Sequence, residues 1–195
     1  MLISRIGVAV MTGGQSSRMG TDKAGLMFNA RETFLQKICG RMSFFPERYL
    51  SVNAERCYEV QDFVPVVDEI SGAGPAGGIL SVLRRSEAEA VLFLACDMPC
   101  FTRDEAYRLI SIYSGEDVLI PAVSGRWQPL ASLYSKRVLP FFEESINSGE
   151  FRLRDIIRKT AYREVPVPPE YTFNYLNVNT PEEYRSLISN PHNRQ

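Results

Sequence analysis

Ile6-Gly7-Val8-Ala9-Val10-Met11-Thr12-Gly13-Gly14 is the stretch on which the fold of this chain turns. An uncharged apolar run leads straight into a glycine pair. A strand that is apolar on both faces belongs inside a parallel sheet covered by helices, not on a half-wet antiparallel surface. Val91-Leu92-Phe93-Leu94-Ala95-Cys96 repeats the pattern. Between the two, residues 33–45 read as an amphipathic helix stopped by Pro46, and residues 49–53 and 63–67 as short strands. The glycine-rich stretch 72–78 reads as a loop, with helical character resuming over 79–85. Further on, helices are expected at 103–113, 138–148, 153–159 and 181–189, and strands at 118–120, 129–134, 162–167 and 173–177. Strand and helix alternate at least through residue 113, which predicts an α/β fold: a three-layer α/β/α sandwich around a mostly parallel sheet.

Open sheets of this kind bind ligands beyond the carboxyl ends of their strands. Polar residues fall at those ends in succession: Gly13-Gly14, Asn53, Asp68 and Asp97. Loops are polar anyway, but one such residue after each of the first strands points to a ligand-binding edge. No internal repeat, low-complexity tract or long linker divides the chain, so residues 1–195 are expected to form a single domain, with 190–195 as a frayed tail.

Composition narrows the chemistry. The 195 residues carry 22 Lys+Arg and 23 Asp+Glu, a net charge of -1, which offers no general attraction to nucleic acid or to an anionic membrane. The single histidine, His192, sits in the polar tail. Ser-His-Asp and Cys-His catalysis and His-rich zinc sites are therefore excluded. Cys39, Cys57, Cys96 and Cys100 form no C-x-x-C pair and read as small buried hydrophobes. No secretory pattern leads the chain, and no run approaches the roughly 20 apolar residues that span a bilayer, so a cytoplasmic location is expected. Any catalysis must rest on carboxylates, cations and backbone amides, with or without a metal held by oxygen.

The loop Gly13-Gly14-Gln15-Ser16-Ser17-Arg18-Met19-Gly20-Thr21-Asp22-Lys23 supplies such groups. The glycine pair lets backbone amides approach a phosphate closely. Two serine hydroxyls and two cations in one loop suit a polyphosphate, whose charge needs several donors at once. The spacing is neither that of a P-loop nor that of the dinucleotide fingerprint, which weighs against a nicotinamide-dependent oxidoreductase. Asp97, fixed after a strand and before Met98-Pro99, suits Mg²⁺, which takes one or two carboxylates plus phosphate oxygens. A helix cap would explain it less well, because Thr102 is better placed for that role. Asp68 and Asn53 are equally readable as turn residues or as readers of a base edge.

From Met11 to Ala24 the sequence resembles the signature loop of the molybdenum cofactor guanylyltransferase family, within a wider group whose shared pattern is L-A-G-G-x-x-x-R-M-G-x-D-K. Met11-Thr12 stands where Leu-Ala is usual. The likeness continues in order through Ser51-Val52-Asn53-Ala54, Val67-Asp68, Gly74-Pro75-Ala76-Gly77-Gly78-Ile79, Cys96-Asp97-Met98-Pro99, Gln128-Pro129-Leu130 and Asn177-Val178-Asn179-Thr180-Pro181-Glu182-Glu183. The resemblance implies a Rossmann-like nucleotidyltransferase fold and transfer of GMP from GTP to the terminal phosphate of molybdopterin, with Mg²⁺ as cofactor and pyrophosphate as product.

The same resemblance implies the roles. Arg18, Lys23 and Asp97 would be catalytic, with Asp97 the metal ligand. Met11, Thr12, Gly13, Gly14, Lys23, Asn53, Asp68, Gly77, Gly78 and Asp97 would hold GTP, and Gln128, Asn177 and Asn179 would face the molybdopterin side. Arg152 and Arg154 read either as a cationic pair for that substrate or as a solvated helix face. Transient contact with proteins that supply and accept the cofactor follows from such a reaction. The alternatives are a cytidylyltransferase on the same cofactor, a sugar- or alditol-phosphate nucleotidyltransferase, and a non-catalytic carrier of the cofactor.

Overall fold

A computed structural model describes residues 2–13, 23–53 and 58–189. Eight strands form one sheet: β1 (Ile6–Met11), β2 (Glu47–Val52), β3 (Val64–Val67), β4 (Ala90–Ala95), β5 (Val118–Val123), β6 (Arg126–Trp127), β7 (Ala131–Ser135) and β8 (Tyr162–Pro166). The order is β3-β2-β1-β4-β7-β5, with β6 and β8 also paired to β5. Pairs β1/β2, β1/β4, β2/β3 and β5/β8 are parallel, whereas β7 runs against β4 and β5, and β6 against β5. All strands except β6 and β7 thus share one direction, and their carboxyl ends share one edge.

β1 and β4 are buried at every position, as their unbroken apolar sequence requires. Side chains alternate between the faces. Ile6, Val8 and Val10 join Leu92 and Leu94 on one face, against α1 (Phe34–Met42) and α3 (Arg103–Ile112). Ala9 and Met11 join Val91 and Phe93 on the other, against α2 (Pro75–Arg85), α4 (Leu139–Asn147) and α5 (Leu153–Arg158). This is the expected three-layer sandwich. The last helix, α6 (Pro181–Ser189), packs Leu187 with Phe28, Phe34 and Val178 in a smaller cluster.

Three expectations change. The stretch 72–78 is not all loop: Gly74 takes a positive φ of 56°, Pro75 opens α2, and Gly77 and Gly78 are buried in its first turns. Proline at the first helical position has no amide to leave unpaired and a φ already set for the helix, which is why it starts one here. Residues 173–177 form no strand; Pro169–Tyr175 is a 3-10 helix, and Tyr175 is held by a side-chain bond to Glu105 rather than by a ladder. The strand expected at 129–134 begins at Ala131, and the short β6 precedes it. Pairings Leu119–Leu133 and Ala122–Trp127 leave residues 120 and 121 of β5 facing 128–132, so Gln128-Pro129-Leu130 is an excursion from the ladder at the carboxyl edge. His192 and the expected tail at 190–195 lie outside the described residues.

Candidate active site

Backbone hydrogen bonds continue past the strand ends and lock the carboxyl edge. Cys96 N donates to Met11 O (3.1 Å), Thr12 N to Ser51 O (3.0 Å), Asp68 N to Val52 O (2.9 Å) and Ala95 N to Leu130 O (2.9 Å). The Thr12 hydroxyl adds a second bond to Ser51 O at 2.8 Å. These bonds wall a cavity of about 220 Å³, lined by Met11, Thr12, Gly13, Lys23, Pro75, Ala95, Cys96, Asp97, Met98, Leu130 and Asn177. Thr12, Gly13 and Asp97 thus follow directly on strand ends, which gives them fixed positions, while Lys23 comes from a 3-10 turn and Asn177 from an irregular segment.

Lys23, Asp97 and Asn179 meet in this region from three distant parts of the chain. Lys23 Nζ lies 3.0 Å from Asp97 Oδ2 and donates to Asn179 Oδ1 at 2.5 Å. Both charged side chains are largely shielded, at 18% and 19% exposure, so their attraction is less screened than on an open surface. Asp97 Oδ1 is buried and finds no hydrogen-bond partner among the described residues. The main-chain oxygen of Asp97 accepts from Val178 N at 2.9 Å, which places Asn177 and Asn179 on either side of that contact. Glu183 Oε2 accepts from Asn179 N (2.6 Å) and Thr180 N (3.0 Å), while Thr180 Oγ1 accepts from Glu183 N (3.2 Å). This capping box fixes the start of α6.

A second group sits on the same edge beyond Met11. Ser51 Oγ donates to Asp68 Oδ1 at 3.0 Å. Burial holds the Asp68 carboxyl above its ordinary pKa, and the Ser51 hydroxyl partly opposes the shift. Gly78 leaves room for both: a Cβ there would lie 2.4 Å from Ser51 Oγ, 2.6 Å from Met11 Cε and 3.1 Å from Asp68 Oδ1. At Gly77 a Cβ would lie 3.0 Å from Ala73 Cβ and 3.1 Å from Ile70 O, so the helix packs close to its own approach loop. Asn53 Oδ1, at the end of β2, is another buried oxygen with no partner among the described residues.

The residues singled out in the sequence thus fall into two adjoining groups. Met11, Thr12, Gly13, Lys23, Asp97 and Asn177 line the cavity, and Asn179 reaches it through Lys23. Asn53, Asp68, Gly77 and Gly78 belong to the neighbouring strand ends and the start of α2. Gly14 and Arg18 lie outside the described residues. Gln128 does not line the cavity; its main-chain oxygen accepts from Ala131 N and Ser132 Oγ, and its neighbour Leu130 reaches the cavity instead. Arg154 is spent on the Trp127 ring, 5.3 Å from its centroid. Sequence reading missed Pro75, Cys96, Met98 and Ser51. Ser51 carried a usable signal, since period two along β2 puts it on the same face as Asn53. Cys39, Cys96 and Cys100 are buried, as expected of small hydrophobes, and Cys57 lies outside the described residues.

A mostly parallel sheet flanked by helices, with Lys23, Asp68 and Asp97 gathered at its carboxyl edge, is the frame of a nucleotidyltransferase. Residues 8–165 match the model of the MobA-like NTP transferase domain, and the chain belongs to that family. It is 28% identical over 182 residues, 93% of this chain and 95% of the relative, to a Flavobacterium johnsoniae protein named "Probable molybdenum cofactor guanylyltransferase". Among solved structures it resembles the molybdopterin-guanine dinucleotide biosynthesis protein A of Archaeoglobus fulgidus, with a TM-score of 0.81 at 22% identity, covering 94% of this chain and 97% of that one. A Mycobacterium tuberculosis protein solved in complex with manganese matches with a TM-score of 0.66 at 17% identity, over 96% and 99% of the two chains. Those two likenesses concern the fold. Among the described residues, no helix is long and apolar enough to cross a membrane.

Proposed function

We propose that this chain transfers GMP from GTP to the terminal phosphate of the molybdopterin form of the molybdenum cofactor, releasing pyrophosphate in a Mg²⁺-dependent reaction. The observation that carries the reading is the junction of Lys23, Asp97 and Asn179 at the carboxyl edge, with Asp97 Oδ1 buried and unpartnered among the described residues. A hard carboxylate oxygen with no donor aimed at it fits a hard divalent cation. Asp97 is the protein ligand in this proposal, and the bound Mg²⁺ supplies charge neutralisation of the triphosphate. The names of the curated relatives, molybdenum cofactor guanylyltransferases, support a guanylyl donor and the molybdenum cofactor as the substrates.

The acceptor phosphate is already an anion at neutral pH. An oxygen of it forms the new bond to the α-phosphorus, the α–β phosphoanhydride bond breaks, and pyrophosphate leaves with the electron pair. No protein base is needed, which suits a chain whose only histidine is His192. The protein aligns the reactants and neutralises charge. In this assignment Lys23, Arg18 and the amides of Gly13 and Gly14 hold the β- and γ-phosphates. Asn53, Asp68, Gly77 and Gly78 surround the base and sugar, with Met11 and Thr12 beside them. Asn177 and Asn179 face the acceptor. The reaction is cytoplasmic and entails brief contact with proteins that deliver and collect the cofactor.

Incubation with each nucleoside triphosphate, Mg²⁺ and molybdopterin-loaded acceptor, followed by pyrophosphate measurement, tests the reading. Release with GTP alone is expected. Release with CTP alone assigns the chain to the sister activity, and tight cofactor binding without any release makes it a carrier.

A further inference from the structure

The C-terminal strip that carries Asn177 and Asn179 is fastened to α3 by a row of contacts that no part of the transfer itself requires. Arg108 lies over the Tyr171 ring, 5.6 Å from its centroid. Asn174 Nδ2 donates to Thr102 Oγ1 at 3.0 Å, and that same oxygen accepts from Glu105 N at 3.2 Å as the cap of α3. The Tyr175 hydroxyl donates to Glu105 Oε1, and its ring meets Phe101 edge-on at 5.6 Å. Val178 N closes the row on Asp97 O. The two segments therefore run antiparallel from Asp97 to Arg108, and the next side chain of the strip, Asn179, reaches Lys23.

Glu105 is the unusual member. It is fully buried, and Arg108 grips it with two bonds of 2.6 and 2.7 Å. Well-packed apolar residues of similar volume commonly serve stability as well as a buried ion pair, so such a pair is weak evidence of a stabilising role. What it provides here is direction: a carboxylate locked by a bidentate guanidinium offers the Tyr175 hydroxyl one fixed acceptor. Tyr175 stands two residues before Asn177 and four before Asn179, too close for the strip to absorb a large shift between them.

We infer that Glu105, Arg108 and Tyr175 are positioning residues, a clasp that sets the strip 174–179 so that Asn177 and Asn179 meet the cavity and Lys23. The assignment of Asn177 and Asn179 to the acceptor side rests on the transfer reading proposed above; the clasp itself does not. Tyr175→Phe removes the hydroxyl and keeps the ring against Phe101.

Two measurements on the full chain test the clasp. The first is hydrogen exchange at the Val178 amide, read alongside the melting temperature. Tyr175→Phe is expected to speed that exchange by about tenfold while the melting temperature moves by no more than about 3 °C. The second is a cycle with Asn177→Ala/Asn179→Ala. In the parent chain Tyr175→Phe should lower kcat for pyrophosphate release by about tenfold or more and leave the Kd for GTP within about twofold. In the Asn177→Ala/Asn179→Ala background it should cost less than about twofold, because the loss runs through those side chains. Unchanged Val178 exchange, or the same kcat loss in both backgrounds, overturns the clasp. Failure of the parent chain to release pyrophosphate with any nucleotide overturns the transfer reading instead, and the exchange measurement then decides the clasp alone.

Discussion

Asp97 places its three oxygens in three different settings. Oδ2 pairs with Lys23, the main-chain oxygen holds Val178, and Oδ1 is buried without a partner among the described residues. An unsatisfied buried carboxylate oxygen costs on the order of 1–3 kcal/mol or more, and a local structure retains such a cost where it serves a ligand. Asp68 shows the same tension in its titration. Burial raises its folded-state pKa above the ordinary value, so the folded protein binds the proton more tightly than the unfolded chain. The resulting penalty is absent below the ordinary carboxylate range, grows as pH rises through the folded pKa, and is complete above it. Asp68→Asn should therefore raise the melting temperature at pH 7 by about 1–2 °C, with the gain vanishing near pH 3. The same variant should bind GTP more weakly, because the proposed assignment sets Asp68 against the nucleotide. Melting curves at the two pH values, with a nucleotide titration beside them, check both halves.

At the scale of elements, the start of α2 is the most constrained part of the edge. A Cβ at Gly78 would press on the tips of Ser51 and Met11, both of which can turn aside, and on Asp68. Alanine recovers about 1 kcal/mol of helix propensity, while overpacking takes about 1–3 kcal/mol. Gly78→Ala should therefore fold, melt about 2–4 °C lower, and raise KM for the nucleotide more than it lowers kcat, as melting curves and steady-state kinetics would show. The Gly74-Pro75 pair is a helix-start signal in plain view, and reading 72–78 as loop gave too much weight to its glycines. β1 and β4 were legible because burial on both faces leaves an apolar run that only a central strand explains. The Pro169–Tyr175 turn was not, because Tyr175 takes its place from Glu105, 70 residues earlier, and local pattern carries no trace of so distant a partner. Leu130 stayed hidden for the same reason, since its importance lies in neighbours contributed by other strands, whereas Ser51 could have been found from the period of β2.

For the whole molecule, the near-neutral charge of -1 conceals how unevenly the functional groups are arranged. Residues 11–13, 23, 95–98 and 177–179 converge on one edge of the sheet because six strands end there, and the one-way strand direction is what makes them converge. Sequence alone marked most of this edge, since glycines and carboxylates after apolar strands are visible without a structure. It could not show that Lys23 would be held between Asp97 and Asn179, or that Leu130 rather than Gln128 would line the cavity. The account stands or falls on Asp97 as the carboxylate at which the triphosphate and its metal are held. Pyrophosphate release from GTP by Asp97→Ala, measured beside the parent chain and with both melting temperatures recorded, tests this directly. The account predicts turnover lower by about a thousandfold or more with the fold retained; turnover within a few-fold of the parent in a folded variant would contradict it.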